Sequence, residues 1–356
     1  MTYAVAAAGT GGHVYPALAL AGALEDLGVA RSEILFLGGN RLEARVVPEA
    51  GYPFQGFELA RLRRTPTVDN LKIPWVVRRT ARAMHARMIE SGTRVVVGMG
   101  GYVTVPAASA AQRAGVPFFL QEQNAVPGLA SRYAARRAVA TFLGLPGKAE
   151  RLPRSKVVGN PLRREIATLD RAGLREEAQR RYGISGSTVL GILGGSLGAR
   201  VLNESASALA EGTGADAVVH LTGPDAFEDM TRMADASAVA WACRPFEADM
   251  QYFYAATDLV VCRAGAMTVS ELAATGTPSV LVPLERVGQG SNARSLAATG
   301  GAVVVSESDV GELPETVAGI LGDAAGLERM GADARRAGRP GGAMVIARRL
   351  LEAVRA

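Results

Sequence analysis

Two cysteines, Cys243 and Cys262, are all that stand in a chain of 356 residues. That pair supports no disulfide framework, and a reducing cytoplasm is the expected setting. Histidine is nearly as scarce, with only His13, His85 and His220, so imidazole chemistry has three candidates. Aromatic residues make up 5% of the chain and no nucleic-acid motif accompanies its net charge of +5, so no nucleic-acid partner is expected. No Asp-x-Asp occurs. Long apolar runs are missing too. The longest uncharged stretch, Val95 to Gln112, is broken by Gly98, Gly100, Gly101 and Pro106, and reads as strand, loop and helix rather than a membrane span. The opening residues have no basic segment with a cleavage site and read as a strand.

What the chain does have is 48% hydrophobic residues and 42 glycines, which suits about two compact domains with many tight turns. Two segments share one pattern of apolar strand, glycine-rich turn and helix: YAVAAAGTGGHVYPALALAGAL from Tyr3 to Leu24, and TVLGILGGSLGARVLNESASAL from Thr188 to Leu209. Each would present backbone N–H groups at a helix N-terminus, where open donors and the helix dipole favour an anion. The expected arrangement is two nucleotide-type folds facing a shared cleft.

Candidate strands in the first half are Ala4 to Ala8, Ile34 to Leu37, Val95 to Gly98, Phe118 to Gln121 and Ala140 to Leu143. In the second they are Val189 to Leu193, Ala217 to Leu221, Asp258 to Cys262, Ser279 to Val282 and Ala302 to Val305. Alternation with helical stretches predicts an α/β fold of doubly wound parallel sheets. Lys156 to Arg164, with its Gly-Asn-Pro turn, reads as the linker, giving domains at 1–160 and 161–340. A last helix, Ala343 to Val354 within 341–356, follows Gly338-Arg339-Pro340-Gly341-Gly342 and is expected to cross back onto the first domain.

Neither glycine turn fits a dinucleotide fingerprint. Gly9-Thr10-Gly11-Gly12-His13-Val14 lacks the final glycine, and Phe36-Leu37-Gly38-Gly39-Asn40 carries no acid for an NAD ribose. A phosphate-loop ending of Gly-Lys-Ser/Thr is missing from both, so a dehydrogenase and an NTPase of that type are set aside. Two readings stand for each turn: close approach of backbone to a ligand, or tight strand-to-helix packing.

The segment RAGAMTVSELAATGTPSVLVPL, Arg263 to Leu284, is more specific. Small residues at a helix start admit a diphosphate, and Glu271 is placed either to accept from a ribose diol or to pair with the helix dipole. Between Arg61 and Arg94 lies a run of basic residues including Arg61, Arg63, Arg64, Lys72, Arg78, Arg79, Arg82 and Arg87. It encloses the apolar insert Ile73, Pro74, Trp75, Val76, Val77. An anionic membrane surface and an ordinary helix with solvated arginines both fit that pattern.

The motifs AAGTGGHVYPALALA, GMGGYVTVPAA, QEQNAVPGLASR, VGNPLRREI, GGSLGARVLNE and RAGAMTVSELAATGTPSVLVPL follow one another in the order of the MurG family, glycosyltransferase family 28. The chain resembles that family from Tyr3 to about Gly301. The resemblance implies a GT-B fold and an inverting, UDP-GlcNAc-dependent hexosyltransferase. The acceptor would be undecaprenyl-diphosphate-linked N-acetylmuramoyl-pentapeptide, in peptidoglycan synthesis at the inner face of the cell membrane. It implies an acceptor and membrane surface on the first domain, with Tyr102, Ile73, Trp75, Val76, Arg78 and Arg79, and a UDP-sugar site on the second. Donor contacts carried over by position are Thr10, Gly11, Gly12, Asn124, Arg163, Ser196, Ala266, Met267, Thr268, Val269, Ser270, Glu271 and Gln289. Glu247 falls where the family supplies a backbone contact to uracil.

Displacing UDP from an anomeric carbon requires a base for the acceptor proton and positive potential for the departing diphosphate. Helix N-termini, Ser196 and Arg163 are expected to supply the second without a metal or other cofactor. His13 is the candidate base, kept neutral by the nearby helix start; hydrogen bonding to the acceptor diphosphate or the sugar is its competing role. His85 and His220 read as structural. The chain departs from the family at Gln121, where a His is usual, and at Val287-Gly288-Gln289-Gly290-Ser291-Asn292-Ala293, which lacks an Asp and a His. The Asp and His missing from that second loop would stand beside the expected sugar pocket. The departures leave room for a paralogue acting on another polyprenyl or natural-product acceptor, or for a low-turnover resistance paralogue. A sugar epimerase of the same fold is disfavoured by GMGGYVTVP.

Overall fold

The computed structural model describes residues 2–59, 68–195 and 197–355. The chain divides into two compact units, Met1–Arg163 with Gly341–Ala356, and Arg164–Pro340.

In the first unit the strands are β1 Thr2–Ala6, β2 Ile34–Gly38, β3 Phe54–Gly56, β4 Thr93–Gly98, β5 Phe118–Glu122, β6 Ala140–Leu143 and β7 Ser155–Val157. They form a parallel sheet in the order β3-β2-β1-β4-β5-β6-β7. Strands covered on both faces read as unbroken apolar runs, and β1 is such a run. Tyr3, Val5 and Ala7 enter a core with the helices Gly11–Asp26 and Gly342–Arg355, while Ala4, Ala6 and Ala8 enter a second core with Met84, Met88 and Ala107. The last helix buries Ile346, Ala347 and Leu350 in this unit. Strand β7 corrects the linker reading, because Ser155–Val157 pairs with Thr141, Phe142 and Leu143 before the Gly-Asn-Pro turn begins.

The second unit repeats the plan with β8 Val189–Leu193, β9 Ala217–Leu221, β10 Ala240–Arg244, β11 Leu259–Cys262, β12 Ser279–Leu281 and β13 Ala302–Val304. Its parallel order is β10-β9-β8-β11-β12-β13. The two glycine-turn segments are less alike than their sequences. The first opens a 16-residue helix, whereas the second leads into Arg200–Glu204, a break at Ser205, and Ala206–Gly212.

In each sheet the chain order reverses beside the first strand, between β1 and β4 and again between β8 and β11. Loops leaving neighbouring strands there run to opposite sides and leave a crevice at the carboxyl ends, the usual ligand position of an open α/β sheet. Residues 7–10 and 99–103 lie at the first reversal, and 194–195, 197–199 and 263–265 at the second.

Candidate active site

The first reversal is built around His13. The helix starts at Gly11, so His13 sits in its first turn, and the Thr10 hydroxyl Oγ1 lies 3.2 Å from His13 Nδ1. When Nδ1–H donates to Thr10, Nε2 is the lone-pair nitrogen left for a substrate proton. The ring is half-buried against Gly100 and Gly101, whose φ values are +77° and +68°. A Cβ on Gly100 would come within 3.3 Å of His13 Cδ2 and 2.9 Å of Gln123 Oε1, which explains the glycine pair after β4. The His13 pKa is lowered from 6.5, first by burial, with Glu122 and Glu43 pulling the other way. Burial therefore outweighs the two carboxylates in keeping the imidazole neutral.

Glu122 organises the next loop. Its Oε1 accepts from the Asn124 backbone N–H and side-chain amide, both at 3.0 Å, and its Oε2 from the Gly128 N–H at 3.3 Å. Asn124 is half-buried in this loop. Gln121 is fully buried, and its Nε2 donates to Asn160 Oδ1 at 2.7 Å. It fastens the end of β5 to the Gly-Asn-Pro turn. Arg163, just past that turn, places its guanidinium 5.9 Å from the Tyr15 ring centroid. Tyr102 packs at Gly9, where a Cβ would meet its ring at 3.3 Å.

The second reversal holds a cavity of about 660 Å³, lined by Gly194, Gly195, Gly198, Arg263, Thr268 and Gln289 among others. Its glycines are required by the backbone. A Cβ on Gly198, at φ +75°, would lie 2.1 Å from the Thr222 carbonyl oxygen, and one on Gly194 would lie 2.2 Å from the Ala199 nitrogen. Ser196 lies outside the described residues. Gly265 caps the helix Ala266–Thr275 and lines the cavity with Thr268, so the helix N-terminus lies beside it. Arg263 is held there by Glu307 Oε1 at 2.6 Å and the Val282 carbonyl at 3.1 Å.

Within Ala266–Thr275 the expected contacts separate. Met267, Thr268 and Glu271 are half-exposed, whereas Ala266 and Ser270 are buried. The Val269 side chain is 1% exposed and its N–H donates to the Gly265 carbonyl. Glu271 Oε2 accepts from the Tyr254 hydroxyl at 2.8 Å. Gln289 Oε1 accepts from the Leu284 N–H at 2.9 Å, so its amide NH2 is what it can offer a ligand. Asn292, in the altered loop, is buried and donates to the Ala264 carbonyl at 3.2 Å, which fixes the loop before the helix. The Glu247 side chain is a structural clamp, accepting from Tyr182 at 2.9 Å, Arg181 at 3.1 Å and the Asp249 N–H at 2.8 Å.

His220 is fully buried on β9, with Nε2 at 3.0 Å from Asn203 Oδ1, and burial lowers its pKa to about 4. His85 is half-buried on the helix Val68–Glu90. On the same helix Trp75 is 65% exposed, Ile73 and Val76 are half-buried, and Arg78 and Arg79 are exposed. Arg79 lies 5.8 Å from the Trp75 ring centroid and 3.4 Å from Glu58. Arg61, Arg63 and Arg64 lie outside the described residues, as does the Lys72 side chain. No helix among the described residues is long and apolar enough to cross a membrane. Among them, too, no group of three or more His, Cys, Asp or Glu side chains could hold a metal ion.

Sequence reasoning missed Glu43, Glu122, Tyr254 and Asn160. All four are buried, and for Glu43, Tyr254 and Asn160 a partner lies 17 or more positions away. The available signal for Glu43 was an acid just after Gly38-Gly39, inside an otherwise apolar helix face.

The family models for the N-terminal and C-terminal domains of glycosyltransferase family 28 match residues 3–143 and 189–343. A Rhodococcus jostii protein named UDP-N-acetylglucosamine--N-acetylmuramyl-(pentapeptide) pyrophosphoryl-undecaprenol N-acetylglucosamine transferase is 39% identical, over 98% of this chain and 95% of that one. A Nocardioides protein of the same name is 41% identical over 94% of this chain and 93% of its own. The crystal structure of Acinetobacter baumannii MurG superposes with a TM-score of 0.78 at 28% identity, covering 99% of this chain and all of that one. A Neisseria meningitidis UDP-GlcNAc 2-epimerase, 13% identical with a TM-score of 0.69 over 99% of this chain and 100% of that one, shares the fold alone. With both family domains matched in order, and two parallel-sheet units carrying glycine turns at their reversals, the chain belongs to glycosyltransferase family 28, as a GT-B enzyme among the MurG transferases.

Proposed function

We propose that this enzyme transfers N-acetylglucosamine from UDP-N-acetylglucosamine, with inversion, to undecaprenyl-diphosphate-linked N-acetylmuramoyl-pentapeptide, forming the disaccharide precursor of peptidoglycan. The observation that carries the reading is identity of about 40% along nearly the whole chain to transferases named for that reaction. The acceptor hydroxyl attacks the anomeric carbon, the bond from that carbon to the UDP oxygen breaks, and the acceptor proton passes to His13 Nε2. Negative charge accumulates on the departing diphosphate. N–H groups of the first turn of Ala266–Thr275, with the backbone of Gly194–Gly198, are the donors suited to it. Ser196 and Arg163 belong to the same assignment by their sequence positions. Thr268 and Gln289 line that cavity, and Glu271 is the acceptor for the ribose diol.

Neutralisation by backbone dipoles and arginine supports turnover without a divalent cation. Exposed Trp75, with Arg79 over its ring and Arg78 exposed on the same helix, supports docking of the enzyme on the anionic cytoplasmic leaflet, where the lipid-linked acceptor resides. Labelled UDP-N-acetylglucosamine and lipid-linked N-acetylmuramoyl-pentapeptide, incubated with the enzyme before and after exhaustive EDTA treatment, test both points. Lipid-linked disaccharide is expected in each case. Epimerised nucleotide sugar, or binding without product, overturns the assigned reaction; activity lost to EDTA and restored by magnesium or manganese overturns metal independence alone.

A further inference from the structure

Glu43 lies four residues beyond Gly39 and is fully buried in the first turns of the helix Leu42–Glu49. Its two carboxylate oxygens are spent on two different turns. Oε2 accepts the Gly9 N–H at 3.0 Å, and Oε1 accepts the Gly39 N–H at 3.0 Å. The glycines on either side make this possible. A Cβ on Gly39 would come to 2.8 Å from Glu43 Oε1, and one on Gly38 would come to 2.8 Å from Glu43 Cγ. The Gly38-Gly39 pair at the end of β2 is thus room for a carboxylate that turns inward, where a dinucleotide fold would present an acid outward to a ribose.

Gly9, at φ +103°, is the residue that starts the turn carrying Thr10 and His13. A buried carboxylate with two N–H donors is held strongly in place, since charge-assisted bonds run shorter and stronger than neutral ones. Its removal would leave the N–H groups of buried Gly39 and half-buried Gly9 without that partner.

We propose that Glu43 is a positioning residue for the transfer reaction, bridging the turns after β1 and β2 so that Gly9–His13 holds the imidazole at the acceptor proton. The proposal rests on the assignment of His13 as base. Glu43 acts through His13 and touches no substrate. The groups acting on that imidazole are the Glu43 and Glu122 carboxylates and the Thr10 hydroxyl, and the backbone of Gly100 and Gly101 covers the ring. Glutamine at position 43 keeps one acceptor oxygen, turns an NH2 donor toward the other N–H and carries no charge. Aspartate keeps the charge and is too short to span both turns.

The test compares E43Q, E43D and H13A with the wild type, measuring kcat and donor KM per folded enzyme and following the imidazole resonances by NMR. With three histidines in the chain, the His13 signals can be assigned by the loss of one set in H13A. E43Q is expected to lose at least about tenfold in kcat, as misplaced catalytic groups do, with donor KM changed less than about twofold. Its His13 titration moves to lower pH as a nearby negative charge disappears. E43D, which also covers the case of an unfolded E43Q, is expected to lose kcat while its His13 titration stays closer to wild type. Wild-type kcat in both Glu43 variants overturns the proposal, and so does a kcat loss in E43Q with an unmoved His13 titration. Normal turnover in H13A removes the base assignment instead, while the NMR shift still reports whether Glu43 acts on His13.

Discussion

The Tyr254 hydroxyl donates to Glu271 Oε2 at 2.8 Å from a side chain that is itself fully buried. A carboxylate that merely complemented a helix dipole would need no such anchor. Tyr254 projects from the helix Met250–Ala256 and fixes the direction of Glu271 on Ala266–Thr275. Tyr254→Phe removes one hydrogen bond to a charged group, about 1.5–3 kcal/mol. The expected outcome is a donor KM raised about tenfold with a smaller change in kcat, read from initial rates. An unchanged KM would assign Tyr254–Glu271 to packing alone.

His13→Ala is expected to lower kcat by about 10²–10⁴-fold, the range for a general base, while UDP binding measured calorimetrically is retained. The pH dependence has a defined sign. The base must be neutral, and its pKa is lowered from 6.5, so the acidic limb of the kcat profile falls below pH 6.5. A limb above that value would contradict the burial seen at His13.

Gly195 and Gly198 both have positive φ, +89° and +75°, yet they predict different outcomes. Around a Cβ on Gly195 nothing lies within 4 Å, so Gly195→Ala carries only the left-handed backbone cost of about 1–2 kcal/mol. Gly198→Ala adds a collision with the Thr222 carbonyl, so it is expected to lose more stability and to bind UDP more weakly. Thermal melting with and without UDP separates the two; equal effects would mean that the turn relaxes freely.

Trp75 is 65% exposed, so Trp75→Ala combined with Arg78→Glu is expected to leave the melting temperature within a few degrees of wild type. Cosedimentation with vesicles containing anionic phospholipid should fall, and turnover on a water-soluble acceptor analogue should hold. Undiminished vesicle binding would assign this helix to an ordinary solvated surface.

The strands legible in the sequence are chiefly those in the middle of the two sheets, where burial on both faces produces continuous apolar runs such as Val189–Leu193. The three that escaped, Phe54–Gly56, Ser155–Val157 and Ala240–Arg244, lie at sheet edges. Gln55, Lys156 and Ala240 are exposed there, so no run or strict alternation marks them. The helix after the second glycine turn reads as continuous in the sequence for a related reason: apolar spacing continues through Ser205 although the backbone breaks there.

The sequence by itself determined the alternating architecture and the positions of the glycine turns, because a positive φ or a missing Cβ is a local demand that only certain residues meet. It also ordered the family motifs. Tertiary structure decided which polar side chains face a ligand and which hold the frame. Glu43 reaches Gly9 across 34 positions, Gln121 reaches Asn160 across 39, and Tyr254 reaches Glu271 across 17. Burial makes a polar group find its partner wherever the fold brings one, and that pairing has no spacing along the chain.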